Sequence, residues 1–106
     1  MRLQQQGAKV FPRPWMLMNF QENQEGQLRC GWTYPRYVGS AVVRNRLKRW
    51  SREFFRQQGS LDRGLDLNVV LRRQEKGFYK NVSHQEFKQA LRDGYQRIQK
   101  RLGPKP

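Results

Sequence analysis

The sequence predicts an α+β fold, a small mixed sheet packed by helices, on three observations. Two short segments before residue 35 and one at 65–71 alternate apolar and polar residues with a period of two. Residues 44–56 carry apolar side chains at helical spacing. A capping-box motif at 83–86 opens a second helical stripe. The order of strands, helix, strand, helix places helices on a sheet within one domain over residues 1–106, a length too small for two cores.

The elements follow in order. Met1–Gln6 is polar, and Gly7 is a stop. Lys9–Phe11 reads as a brief strand closed by Pro12-Arg13-Pro14. Trp15–Phe20 is apolar on both alternating faces, which suits a strand covered on two sides. Glu22–Gly26 is a turn, and Leu28–Tyr34 alternates again, with Leu28, Cys30, Trp32 and Tyr34 on one face. These two strands around a short glycine-containing turn predict a hairpin. Gly39 serves a chain reversal, Ser40 is an N-cap, and Gln57-Gln58-Gly59 ends the helix that follows. Leu65–Leu71 puts Leu65, Leu67, Val69 and Leu71 on one face and Asp66, Asn68 and Val70 on the other. Ser83-His84-Gln85-Glu86 starts the last helix, whose stripe is Phe87, Leu91, Tyr95, Ile98 and Leu102. Gly94 within it permits close approach to the sheet.

Composition excludes several classes. The formal charge is +14, with 22 Lys and Arg against 8 Asp and Glu, and the pI is about 11.1. Such self-repulsion opposes compaction and points to a polyanionic partner. The longest apolar run, Trp15–Met18, falls far short of the roughly 20 residues that span a bilayer, and the N-terminus has no apolar stretch like that of a signal peptide. A membrane partner is therefore not expected. A single cysteine rules out an internal disulfide and fits a cytoplasmic protein, and one His with one Cys makes no zinc cluster. Thirteen aromatic residues argue for a folded domain rather than a basic tail.

The segment 44–56 is the main candidate site. As a helix, it places Val43, Leu47, Trp50 and Phe54 in one apolar arc, with Phe55 at the seam. Arg44, Asn45, Lys48, Arg49, Arg52 and Arg56 fan over the adjoining face. Six basic residues stand against one acid, Glu53, so the charge is not neutralised within the helix. Arginine outnumbers lysine five to one there, and its planar fork suits bidentate phosphate contact. Other basic residues, Lys9, Arg13, Arg29, Arg36, Arg72 and Arg73, lie at strand ends and loops. Phe78-Tyr79-Lys80 reads either as a loop that stacks on a base or as local packing. His84 reads as a first-turn surface residue and Cys30 as core. No carboxylate pair, glycine-rich phosphate loop or nucleophile elbow is present, so no catalytic residue and no protein metal site is assigned.

The stretch Val38-Gly39-Ser40-Ala41-Val42-Val43-Arg44-Asn45-Arg46-Leu47-Lys48-Arg49, continued by Arg52-Glu53 and Phe55-Arg56, resembles the signature of the bacterial ribonuclease P protein subunit. Looser resemblance covers nearly the whole chain. It implies an αβββαβα order with a left-handed β-α-β crossover, the ribosomal protein S5 domain 2-like fold. It also implies a subunit that joins a catalytic RNA and binds the 5′ leader of precursor tRNA, promoting endonucleolytic 5′ maturation. The RNA carries out the magnesium-dependent phosphodiester hydrolysis in that family, so Mg2+ is expected mainly on the RNA, and no obligate protein partner is evident. By matching position, Arg44, Asn45, Arg46, Lys48, Arg49, Arg52 and Arg56 are the RNA-binding residues. Lys9, Phe11, Trp15, Trp32 and Arg36 are the candidates for the leader cleft. Two departures stand out. Only six residues precede Gly7, so the family's first helix is expected to be truncated here. Pro35-Arg36-Tyr37 stands where the family tends to have a Ser and two basic residues. The alternative is a ribosomal-protein-like module that binds structured RNA without a cleavage role. A DNA-binding helix-turn-helix fits poorly, because strands flank the basic helix.

Overall fold

The computed structural model describes residues 7–58 and 64–103. Strands β1 (Ala8–Arg13), β2 (Met16–Asn23) and β3 (Leu28–Thr33) precede a single 3-10 turn at Arg36–Val38. Helix α1 (Ala41–Arg56), strand β4 (Gly64–Leu71), the short helix α2 (Phe78–Asn81) and helix α3 (His84–Leu102) follow. The α+β class and this order agree with the sequence expectation. The short α2 is new, since that segment reads as a loop in the sequence. The truncated first helix and Gly59 lie outside the described residues.

The sheet runs β1-β2-β4-β3. β2 pairs antiparallel with both β1 and β4, and β3 runs parallel to β4. The expected β2–β3 hairpin is therefore corrected. β4 inserts between those strands, and the hairpin is β1–β2 around Pro14-Trp15. The reason lies in β4 itself. Its stripe of Leu65, Leu67, Val69 and Leu71 is at most 1% exposed, and burying it fully requires the central position, with a neighbour on each side. Parallel pairing of β3 and β4 then demands a crossover, which α1 provides.

β1 extends through Pro12, with a register irregularity between Val10 and Arg13. Proline is tolerated because β1 is an edge strand. α3 covers that edge: Arg97 donates to the Phe11 carbonyl at 3.1 Å and Arg101 to the Lys9 carbonyl at 2.9 Å. Arg13 pairs with Asp93 at 3.0 Å.

One face of the sheet is the core. Met16, Met18 and Phe20 of β2 join the β4 stripe and meet Leu47, Phe54 and Phe55 of α1 and Phe87, Leu91, Tyr95 and Ile98 of α3. The opposite face is not covered by a helix among the described residues. Leu17 and Asn19 on it are only half-buried, so the expectation that β2 is covered on two sides is corrected.

The caps follow the sequence. The Val43 N–H donates to the Ser40 hydroxyl at 3.3 Å and the Glu86 N–H to the Ser83 hydroxyl at 3.0 Å. The buried arc of α1 differs in one position from the expected one. Trp50 is half-buried, and Ser51 is fully buried in its place. Ser51 is satisfied by donating to the Leu47 carbonyl at 2.7 Å and by sharing a 2.6 Å bond with the Tyr34 hydroxyl. Deleting one partner strands the other.

Ser51→Ala should therefore destabilise the domain by about 1–3 kcal/mol, because the buried Tyr34 hydroxyl loses its partner. Tyr34→Phe leaves Ser51 its bond to Leu47 and should cost about 1 kcal/mol or less. Urea midpoints of the two variants check the asymmetry. Gly94 lets α3 lie close against the sheet. A Cβ there would lie 2.5 Å from the Met18 sulfur and 3.0 Å from Pro12 Cγ. Met18 is fully buried and has little room to retreat, so Gly94→Ala should cost about 1–3 kcal/mol, read as a lower Tm.

Candidate nucleic-acid interface

Positions 43, 47, 51, 54 and 55 turn α1 onto the core and leave the arc through 45, 49, 52 and 56 to solvent. Asn45, Arg49, Arg52 and Arg56 are exposed, and Lys48 is partly so. Among the described residues these five make no hydrogen bond or ion pair, so the charge is presented outward. Arg44 is half-buried, with its Nε donating to the Gly39 carbonyl at 3.2 Å. Arg46 is engaged further: one terminal nitrogen donates to the Tyr79 carbonyl at 3.3 Å and the Lys80 carbonyl at 2.9 Å. Its guanidinium lies 5.2 Å from the centre of the Trp50 ring. Arg46 thus ties α1 to the end of α2, leaving only part of its fork for a ligand.

The leader candidates are not brought together as one group. Lys9 and Phe11 lie on the open face of the sheet, and Phe11 is 48% exposed. Register places Leu17, Val70 and Thr33 in one row of that face, Asn19, Asn68 and Gly31 in the next, and Gln21, Asp66 and Arg29 in a third. Gly31 contributes no side chain beside Asn68, so the middle row is shallow. Arg36 is exposed on the 3-10 turn.

Trp15 is corrected. It is buried, stacked 6.0 Å from Phe87 and packed on Phe78 and Tyr79, with no face to offer a strand of RNA. Trp32 shares the helix-covered side with Val69, its β4 partner, and stacks 5.9 Å from Phe55. The base-stacking reading of Phe78-Tyr79-Lys80 gives way to packing. The buried Tyr79 hydroxyl donates to the Trp15 carbonyl at 3.2 Å and also to the Arg72 carbonyl, and burial raises its pKa.

Sequence reasoning missed a rim at the end of β4. The Tyr37 hydroxyl donates to the Leu71 carbonyl at 2.7 Å, Arg73 lies 4.7 Å over the Tyr37 ring, and Arg72 lies 5.7 Å from the Phe11 ring. Two arginines that read singly as solvated thus cover two exposed aromatics. The signal was present only as an Arg-Arg pair at a strand end.

At the far end of the open face, Asp66 accepts from Arg29 Nε at 2.8 Å and Nη2 at 2.9 Å, and from Asn23 Nδ2 at 2.7 Å. The Arg29 bond holds the Asp66 carboxyl below the usual carboxylate range. Burial pushes the Cys30 thiol up to about 12, which keeps it protonated and unreactive at neutral pH. Among the described residues no group of three or more His, Cys, Asp or Glu side chains could hold a metal ion, and no helix is long and apolar enough to cross a membrane.

A parallel β-α-β crossover whose helix turns unneutralised arginines outward, beside a sheet face with no helix over it among the described residues, defines a basic α+β domain suited to a polyanion. A family model described as Ribonuclease P matches residues 2–99. A ribonuclease P protein component from Citrifermentans bemidjiense is 38% identical over 68 residues, which cover 64% of this chain and 59% of that protein. The Thermotoga maritima protein component is 29% identical over 93 residues, covering 87% of this chain and 80% of the relative. A solved structure of a Thermotoga maritima RNase P protein, in complex with 1-(4-fluorophenyl)-2-thiourea, superposes with a TM-score of 0.78 at 28% identity. It covers 89% of this chain and 88% of that one. The chain belongs to the ribonuclease P protein family.

Because the folded carboxyl of Asp66 titrates below its unfolded value, its contribution is complete above about pH 4 and is lost as pH falls through the folded pKa. Asp66→Asn should therefore be less stable than the native chain at neutral pH, and the gap should close in acid. Urea midpoints measured from pH 7 down to pH 2 check this; a gap that persists in acid contradicts it.

Proposed function

We propose that this chain binds the catalytic RNA of ribonuclease P through the outward face of α1 and holds the 5′ leader of precursor tRNA on the open face of the sheet. In so doing it promotes endonucleolytic 5′ maturation. The observation that carries the reading is α1 itself. Asn45, Lys48, Arg49, Arg52 and Arg56 are presented to solvent without partners among the described residues, on a helix fixed to the sheet by Leu47, Phe54 and Phe55. Arg44 and Arg46 flank this face with part of their donors engaged inside the protein.

The division of labour follows from the residues. Phosphates meet the arginine forks, which position the RNA without reading its sequence. The leader, a flexible single strand, crosses rows of small and polar side chains, Asn19, Asn68, Gly31 and Thr33, with Phe11 and Lys9 at the β1 side and Arg36 near the rim. Magnesium supplies the Lewis acidity for hydrolysis when bound. In this reading the RNA holds the metal, and the protein's side chains bind and position the RNA. The cytoplasm is the compartment of this work in the same reading.

A cleavage assay with cognate catalytic RNA and precursor tRNA at low magnesium tests the whole reading. Added protein should stimulate 5′ cleavage; retention of RNA with no stimulation would favour a structural RNA-binding module instead. If about six phosphates are neutralised, affinity should fall roughly a thousandfold between 50 and 200 mM salt. Arg49→Ala and Arg52→Ala should each lower affinity and reduce the salt slope by about one. Arg46→Ala should lower both affinity and stability, since it also releases the Tyr79 and Lys80 carbonyls. Filter binding across salt concentrations and thermal melts separate these effects.

A further inference from the structure

α1 and α3 meet along a ledge that the α1 face and the open sheet leave unused. His84, the first residue of α3 and the one histidine of the chain, lies flat on Trp50 of α1, with ring centroids 4.6 Å apart and planes 13° from parallel. Arg46 approaches the same indole at 5.2 Å. Arg46, Trp50 and His84 therefore form a cluster spanning both helices. His84 is exposed, and beyond it opens a groove of 440 Å³ lined by His84, Gln85, Lys88, Gln89 and Arg92.

The groove has the chemistry of a nucleotide. An imidazole already stacked on an indole offers a flat surface held in place, so stacking a base on it orders little else. Lys88 and Arg92 follow His84 at four-residue intervals, about 6 Å apart along the helix axis, on one side of α3. Neither makes an ion pair among the described residues, and Asp93, the acid beside them, is taken by Arg13 at 3.0 Å and Gln89 at 2.9 Å. Gln85 and Gln89 present amides that can donate to and accept from a base edge. Glu53 lies on the α1 side of the ledge and Glu86 in the first turn of α3, leaving the Lys88–Arg92 line basic.

We propose that the α1–α3 ledge is a second RNA-contact site that takes an unpaired nucleotide. Its base stacks on His84, and the phosphates that follow it meet Lys88 and Arg92. The site extends the basic face of α1 across the helix pair and rests on the RNA-binding reading above. It is separate from the sheet face assigned to the leader.

The single histidine makes the test specific. Short unstructured oligoadenosine RNA is titrated into the full-length protein, and the His84 ring protons are followed by NMR. Stacking should move them upfield along a saturable curve, and His84→Ala should weaken oligoadenosine binding at least fivefold while leaving the melting curve close to native. Lys88→Ala with Arg92→Ala should reduce the salt slope of that binding. His84 signals that stay fixed at saturating oligonucleotide, or a His84→Ala variant that binds it as tightly as the native chain, overturn the proposal. Structured catalytic RNA is titrated in parallel against Arg49→Ala. Loss of that affinity with an unmoved His84 signal would sink the ledge alone, whereas no affinity for either RNA would sink the RNA-binding reading itself. A third arm uses precursor tRNA with and without its leader. Equal His84 shifts in the two assign the nucleotide outside the leader.

Discussion

The burial of β4 is the constraint on which the rest of the structure depends. Four of its side chains, Leu65, Leu67, Val69 and Leu71, are removed from water on one face, and each fully buried side chain of this size is worth about 1.5–3 kcal/mol. Only a central strand, paired on both edges, can satisfy so apolar a stripe and its backbone together. With β2 taking one edge antiparallel, β3 takes the other in parallel. A parallel neighbour cannot be reached by a tight turn, and α1 becomes the bridge. The basic helix is thus where it is because the sheet needs a crossover there.

That origin explains why α1 can carry so much charge. An isolated helix with six basic residues and one acid would gain little from pairs along its own length. Here its inner side is held by Leu47, Phe54, Phe55 and the Ser51–Tyr34 hydrogen bond, so the core fixes the helix and the outer face is released from any duty to stabilise it. Several other cations are spent inside the molecule. Arg13, Arg97 and Arg101 stitch α3 to β1, Arg29 closes the Asp66 network, and Arg46 binds the carbonyls at the end of α2.

The elements governed by local rules were legible in the sequence. Ser40 and Ser83 cap the helices as their side chains predict, the period-two stripe of β4 is buried as written, and Gly94 meets Met18. What the sequence hid was set by partners distant in the chain. Nothing within Trp15–Tyr34 reveals that β4, more than thirty residues later, will separate β2 from β3, because turn chemistry at Glu22–Gly26 suits a hairpin equally well. Trp15 reads as a candidate for the leader cleft until α2 and α3 close over it. Ser51 looks like a surface residue until Tyr34 is placed opposite. Helical spacing placed the outward α1 residues on one face, yet it could not show that Arg46 is partly committed to Tyr79 and Lys80.

The same distinction bears on how the two faces of the molecule divide their work. A phosphate contact needs only a free cation at the right place, and the outer arc of α1 supplies a row of these at little structural cost. Holding a flexible single strand requires surfaces that are flat and already ordered, since each side chain immobilised on binding subtracts from affinity. The open sheet face meets that need through backbone pairing: its rows of Leu17, Asn19, Asn68, Val70 and Thr33 are fixed by the ladders beneath them, and Asn68 is further tied to Thr33 at 3.0 Å. The Trp50–His84 stack meets it by a different route, because the indole holds the imidazole in place before any base arrives. In the proposed reading, charge draws RNA to the helices, while order built by the sheet and by the helix–helix junction determines where its unpaired nucleotides come to rest.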